Sequence, residues 1–209
     1  MVEYSYLTVA GRANGLYKEK GSKFISFVFP VTSEEEAKHQ LELLRKEYHD
    51  ARHHCFAWII GTDKSLYRAS DDGEPNHSAG DPILGQLRAK NLTNVMAVVV
   101  RYFGGTKLGV GGLIVAYRSA TQAALEKSNI IEKEIEEILT LRYDYAYTSE
   151  VMRLVKDYKL SILTQDFQSE CMMRLALRLR WKDEFLEKTK LLNVTGTPVN
   201  IEWDNNNLQ

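Results

Sequence analysis

One segment of the chain restricts its fold more than any other: an apolar strand, a glycine-rich turn and an amphipathic helix follow one another without a break. The run VMAVVV, residues 95–100, is apolar at every position, which is typical of a strand buried on both faces. The next segment, RYFGGTKLGVGG, has five glycines among twelve residues. In LIVAYRSATQAALEK, residues 113–127, apolar side chains recur at helical spacing on one side. The segment therefore predicts a central strand and a helix that packs back onto its sheet.

The glycines of this turn indicate either a binding site or a tight crossing of the backbone. Glycine permits positive φ and a close approach of backbone N–H groups to a ligand, and the following helix adds its positive dipole end. Gly104 and Gly109 have the spacing of a Walker loop, but Val110 stands where that motif requires lysine. An anion or RNA-backbone site is one prediction, and a turn that only lets the helix lie on the sheet is the other. The candidate anion-binding residues are Arg101, Gly104, Gly105, Lys107, Gly109, Gly111 and Gly112.

A second loop, DDGEPNHSAGDP at residues 71–82, collects acidic side chains around a histidine. Such groups can hold a hard cation or act as acid and base, but their spacing lacks the calcium-loop pattern. The simpler interpretation is that Asp72 and Glu74 cap turns and pair with nearby cations, for which the candidates are Arg68, Arg101 and Lys107. Asp81 and Pro82 are predicted as the N-cap and first residue of a short helix. We therefore expect no metal ion and no cofactor.

Neither cysteine belongs to a pattern that indicates catalysis. Cys55 and Cys171 lack the spacing of a metal cage or a disulfide framework. Cys55 follows His53 and His54 in a predicted strand, where successive side chains point to opposite faces, so the three cannot converge. Cys55 is predicted to be an inert core thiol. No catalytic residue is identified, and an enzymatic role is the less favoured expectation.

The order of elements predicts two domains. Residues 1–131 contain the segments described above, preceded by further strands and a helix whose start is marked by the capping-box pattern of Ser33 and Glu36. Residues 132–209 restart the pattern as β-α-β-β-α-β, which is the ferredoxin-like plan. The N-terminus lacks a signal-peptide pattern, and no apolar run is long enough to cross a bilayer. We expect a cytoplasmic protein without a membrane partner.

Any attraction to nucleic acid must come from local patches, because the formal net charge is −1. Residues 88–127 carry six cations and a single acidic residue, which is a local excess of the required sign. A second patch is predicted on the open face of the C-terminal sheet, as an RNA contact or as a solvated face. Its members are Arg142, Arg174, Arg178 and Arg180.

Two motifs of the chain resemble the Impact family of small cytosolic proteins. They are DDGEP followed by AGDPIL within residues 71–84, and VVVRYFGGTKLGVGGL at residues 98–113. KGSKFI and HHCFAWIIG add to the likeness, which covers roughly residues 20–127. The matching signature residues are Asp71, Asp72, Gly73, Glu74, Pro75, Arg101, Gly104, Gly105, Gly109, Gly111 and Gly112.

The resemblance implies an α+β fold and a connection with translation. The N-terminal domain is expected to be similar to the fourth domain of elongation factor G, and the ferredoxin-like tail to the fifth domain of that factor. Eukaryotic members of the family regulate translation initiation during amino-acid starvation by engaging the activator of a stress kinase, largely through an extra N-terminal domain. The chain departs from many members at Asn76, His77 and Ser78, which stand in place of a Ser-Gly-Thr-like run.

These observations predict a cytosolic, translation-linked regulatory protein that binds RNA or the ribosome, with a regulatory protein as a further partner. The alternative is an enzyme that acts on a phosphorylated small molecule held by the glycine-rich turn. Asp72 or Glu74 would then act as the general base. A third interpretation is a protein–protein adaptor in which the turn is purely structural.

Overall fold

The computed structural model describes residues 3–167 and 171–208, with side chains described as far as residue 204. The chain divides into two compact units: Tyr6–Lys133 form one, and the residues on either side of that range form the other. The predicted boundary at 131/132 falls inside the strand Ile130–Glu134. Within the described part of the chain, every helix is too short or too polar to cross a membrane.

The first unit is built on an antiparallel five-stranded sheet. The strands of the unit are β1 (Ser5–Val9), β2 (Ala13–Glu19), β3 (Ser22–Pro30), β4 (His53–Ile60), β5 (Leu66–Ser70), β6 (Val95–Tyr102) and β7 (Ile130–Glu134); only Ser5 and Glu134, at the outer ends of β1 and β7, belong to the other unit. The helices of the first unit are α1 (Glu34–Glu47), α2 (Gly80–Ala89) and α3 (Gly109–Leu125). The sheet has the order β2-β3-β6-β4-β5, while β1 and β7 pair with each other in a separate two-stranded sheet.

Strand β6 lies at the centre of the sheet and is covered on both faces, as its apolar sequence predicts. Val99 belongs to the core that packs against α2 and α3, together with Tyr117 of α3. Val98 belongs to the core on the opposite face, which Leu41 and Leu44 of α1 cover. Burial of apolar surface on both faces therefore holds β6 and the residues that follow it in place.

Two helices begin earlier than the sequence predicts. Helix α2 begins at Gly80, and Asp71 caps its first N–H groups, so the prediction of Asp81 as the N-cap is wrong. Helix α3 begins at Gly109 instead of after the glycine-rich segment, so Gly109, Gly111 and Gly112 lie in its first turn. Glycine has a low helix propensity, so local sequence gives no sign of this start. Packing of Leu113 and the residues after it in the core fixes the helix and overrides the propensity.

The second unit has the predicted element order β-α-β-β-α-β. It contains β8 (Glu136–Tyr143), α4 (Thr148–Asp157), β9 (Ser161–Phe167), β10 (Cys171–Arg178), α5 (Lys182–Val194) and β11 (Val199–Leu208). The antiparallel sheet has the order β11-β8-β10-β9. Strand β10 ends at Arg178, where the chain turns through the 3-10 helix Leu179–Trp181 into α5. The prediction that Arg180 lies on the face of the C-terminal sheet is therefore wrong.

Candidate functional site at the glycine-rich turn

Gly104 makes the closest backbone approach of the glycine-rich turn, and its neighbour is the chain itself. A Cβ at this position would overlap the backbone of Gly21 and Ser22 at the start of β3. The Gly104 N–H also donates a hydrogen bond to Ser22 Oγ at 3.1 Å. The prediction of a tight crossing is therefore correct for this glycine.

Three other glycines of the turn have a different environment, while a Cβ at the fourth, Gly112, would lie 3.0 Å from the Leu108 Cβ. Gly105 and Gly109 have φ of +89° and +71°, and a Cβ added to either would meet nothing within 4 Å. Gly111 likewise faces open space. Leu108, which precedes α3, provides no side-chain cap for the N–H groups of the first turn. This side of the turn is thus uncovered and presents backbone donors at the positive end of a helix dipole.

A cavity of about 380 Å³ lies beside the uncovered side of the turn. The glycine-rich turn and the acidic loop both contribute to it, so the structure brings the two predicted motifs together. Residues of the acidic loop, the end of β6, the turn and α3 line it: Glu74, Pro75, Arg101, Phe103, Lys107, Leu108, Gly109, Val110 and Leu113. Most of this lining is apolar, which the charged sequence motifs did not indicate.

Arg101 and Glu74 form a buried ion pair in the wall of the cavity. The Arg101 Nη1 to Glu74 Oε1 distance is 2.5 Å, and the two side chains are only 7% and 4% exposed. Tyr117 Oη donates a second hydrogen bond to Glu74 Oε1 at 2.8 Å. The pairing of Glu74 with Arg101 is one of those that the simpler interpretation of the acidic loop predicted. Arg101 is consequently a neutralised structural cation, and Lys107 is the exposed cation that remains among the predicted anion-binding residues.

The hydrogen-bonded chain continues from Tyr117 into the core. Cys55 Sγ lies 3.3 Å from Tyr117 Oη and 3.0 Å from the carbonyl oxygen of Asp71. Burial raises the pKa of the Cys55 thiol and that of the Tyr117 hydroxyl, so both groups stay protonated. The helical spacing places Tyr117 on the apolar face of α3 and does not predict its hydrogen bonds. A signal for them was available, because a buried tyrosine hydroxyl requires a hydrogen-bond partner.

Asp72 is held by partners other than the predicted ones. Its carboxylate accepts hydrogen bonds from Arg45 Nη2 at 2.9 Å and from the backbone N–H of His54 at 2.7 Å. Neither Arg68 nor Lys107 makes an ion pair with it in the described part of the chain. Arg45 comes from α1, a distant segment, and sequence spacing therefore did not reveal it.

Asp71 organises the acidic loop from within. Its two carboxylate oxygens accept hydrogen bonds from the backbone N–H groups of His77, Ala79 and Gly80 at 2.8–2.9 Å. Burial alone would raise the pKa of Asp71, but these three donors stabilise the carboxylate and hold the pKa below its ordinary value. Asp81 instead contacts His77 Nδ1 at 2.6 Å on the exposed surface.

Replacement of Asp71 by asparagine should lower the free energy of unfolding at pH 7 by about 0.5–2 kcal/mol, the usual effect of losing a helix cap. Because the pKa of Asp71 is lowered on folding, its stabilising contribution is present above the unfolded pKa of about 3.9 and disappears as the pH falls through the folded pKa. The deficit of the variant should therefore shrink below about pH 4. Urea unfolding across this pH range measures it, and a deficit that stays constant would contradict the assignment.

The acidic loop does not gather its side chains around a common point. His77 is 82% exposed, and Glu74 points inward to Arg101. Over the described ranges, no group of three or more His, Cys, Asp or Glu side chains is arranged to hold a metal ion. The loop therefore acts on the cavity mainly through Glu74 and Pro75.

The predicted arginine patch of the second unit carries balancing carboxylates. Arg174 Nη2 lies 2.6 Å from Asp204 Oδ2, and Arg142 Nε lies 3.6 Å from Glu202 Oε1. Glu134 pairs with both remaining arginines, with distances of 2.7 Å to Arg178 and 2.6 Å to Arg180. These side chains are partly exposed, and the patch is a mixed-charge surface instead of a field of cations.

Known proteins resemble the chain at two scales: one domain model matches part of it, and whole relatives match most of it. The sequence model of the Impact N-terminal domain matches residues 20–125, which include both loops that line the cavity. IMPACT family member YigZ of Escherichia coli is 36% identical over 186 residues, 88% of this chain and 91% of its own length. IMPACT family member YvyE of Bacillus subtilis is 35% identical over 148 residues, 71% of this chain and 68% of its own length.

A solved structure described only as that of a hypothetical protein superposes on the chain with a TM-score of 0.76. Its sequence is 32% identical, and the superposition covers 99% of this chain and 100% of the other. The likeness thus extends beyond the region that the domain model matches, to both units. By its sequence, the chain belongs to the Impact family.

Proposed function

We propose that this protein is a cytosolic, translation-linked regulatory protein that binds RNA or the ribosome through the glycine-rich turn and the cavity beside it. The observation that carries the proposal is the meeting of both family motifs at an open cavity that has Lys107 and an uncapped helix N-terminus on its rim. Exposed cations and backbone N–H groups are the donors that phosphate oxygens accept from. The neutralised Arg101 supports the wall and does not supply the charge.

Membership of the family supports the connection with translation, since the resemblance extends to eukaryotic regulators of translation initiation. We infer further that the second unit has the ferredoxin-like fold, because its sheet order β11-β8-β10-β9 joins two β-α-β elements in one antiparallel sheet. The likeness to the fourth and fifth domains of elongation factor G belongs to the same proposal. A regulatory protein partner would add a second contact without requiring a different cavity.

An enzyme that acts on a phosphorylated small molecule is the second candidate. The cavity volume suits a small ligand, which favours it. Against it, the two carboxylates considered as general bases are already engaged: Glu74 by Arg101 and Tyr117, and Asp72 by Arg45 and the His54 N–H. These contacts hold both carboxylates against donors of the protein itself, which leaves them less available to accept a proton from a substrate.

Co-sedimentation with purified ribosomal particles over a salt series tests the proposal. Wild-type binding should fall as salt increases, and Lys107→Ala should weaken it while lowering the slope of log affinity against log salt by about 1, the effect of one lost phosphate contact. Arg174→Ala is the matched control, because it removes a partly exposed cation that is already paired with Asp204. Absence of binding at low salt, or equal losses in the two variants, would contradict the proposal.

A further inference from the structure

We infer that the cavity accepts one unpaired nucleotide of an RNA strand, with its base against Phe103 and its phosphate at Lys107 and the first turn of α3. This inference rests on the proposed function and specifies the ligand of the same site. It distinguishes recognition of a single strand or a flipped base from contact with the backbone of a duplex.

The apolar side of the cavity has the character of a stacking platform. Phe103 is 57% exposed, an unusual degree for a phenylalanine that directly follows a buried strand. The Arg101 guanidinium lies 5.7 Å from the centroid of its ring, which helps to fix the position of Phe103. Val110, 51% exposed, adds apolar surface beside it. Proteins that bind single-stranded nucleic acids stack the bases on exposed aromatic rings that lie beside cations.

The polar side offers two kinds of donor. Lys107 carries an exposed charge, and the first turn of α3 has backbone N–H groups without a side-chain cap; both suit a phosphate. Arg101 Nε is buried and has no hydrogen-bond acceptor among the described residues.

The dimensions favour a single nucleotide over a helix. A cavity of about 380 Å³ falls in the range that holds a small molecule. Proteins recognise double-stranded RNA mostly through phosphates and 2′-hydroxyls across its grooves, whereas single strands present bases for stacking. An apolar cavity with a cationic rim matches the second mode.

Fluorescence anisotropy with a labelled single-stranded oligouridine and a duplex of the same length tests this inference. Wild-type protein should prefer the single strand. Phe103→Ala should weaken single-strand binding roughly 5- to 150-fold, the range expected for loss of one base–aromatic stack, with an unchanged salt slope. Phe103→Tyr should restore most of the affinity. Val115→Ala is the control, since Val115 is an exposed apolar residue of α3 that does not line the cavity.

The outcomes separate this inference from the function on which it rests. The single-nucleotide inference is overturned if the protein binds both RNAs with equal affinity. It is also overturned if the Phe103→Ala variant binds RNA as tightly as the wild type and has a normal melting temperature. In either case, salt-dependent binding that needs Lys107 would still support the proposed function. Absence of RNA and ribosome binding at low salt overturns both. Uridine 5′-monophosphate that binds as tightly as the oligouridine overturns the assignment of the nucleotide to RNA.

Discussion

Replacement of Arg101 by methionine should lower the free energy of unfolding by about 3–5 kcal/mol, which is the usual effect of removing one partner from a buried ion pair. The Arg101 and Glu74 side chains are almost completely buried, so the carboxylate of Glu74 would lose its compensating charge without gaining contact with water. Tyr117 would still donate to Glu74, but one neutral donor cannot replace the lost charge. The decrease should appear as a lower urea midpoint at an unchanged m value.

Two further variants separate the buried pair from a general effect of removing arginine. Arg174→Met, which removes a partly exposed and paired arginine, should change the free energy of unfolding by less than about 1 kcal/mol. The double variant Glu74→Leu, Arg101→Met should recover much of the loss, because removal of both charges leaves nothing uncompensated. A loss below about 1 kcal/mol in Arg101→Met would mean that Glu74 is solvated in solution. Substitutions of Arg101 therefore change mainly the free energy of unfolding, and substitutions of Lys107 are the better test of binding.

Gly104→Ala should destabilise the first unit by about 3 kcal/mol, at the upper end of the range for overpacking substitutions. A Cβ there overlaps the backbone of Gly21 and Ser22, which cannot rotate away as a flexible side chain would. Relief would require β3 and β6 to separate at Gly104, which would also lengthen the hydrogen bond from its N–H to Ser22. Thermal unfolding measured by circular dichroism would record the lower melting temperature.

Gly111→Ala provides the matched control on the same turn. Its Cβ would enter open space in the first turn of α3, where alanine is the better helix former. We expect a gain of about 0.5–1 kcal/mol from this change. If both alanine variants lost stability to the same extent, the close contact at Gly104 would not be the reason that glycine occurs there.

The parts of the fold that the sequence predicted are those governed by local periodicity. Strand β6 was recognisable because VMAVVV is apolar at every position, and the start of α1 because Ser33 and Glu36 have capping-box spacing. The start of α2 was misassigned because Asp71, nine residues before Gly80, provides the cap. No local rule connects a cap to a helix across such a loop.

The candidate site was predictable in its components and not in its arrangement. The two loops were both recognised, and the pairing of Glu74 with Arg101 was among the predicted ones. Whether Arg101 would face a ligand or the interior depended on burial, which follows from the packing of α3 over β6 and not from composition. Phe103 escaped notice because an aromatic residue after a strand is ordinarily part of the core.

The pairing of β1 with β7 determines when the first unit can finish folding during synthesis. Strand β1 comprises Ser5–Val9, and its partner comprises Ile130–Glu134, so the two meet only after nearly the whole unit has emerged. The backbone hydrogen bond from the Ala10 N–H to the Asn129 carbonyl oxygen extends this late contact. Contacts so distant in sequence slow folding, because a long loop must close before they form. Until β7 has been synthesised, the edge of β1 that pairs with it would stay exposed on the nascent chain. Strand β7 would then complete the first unit.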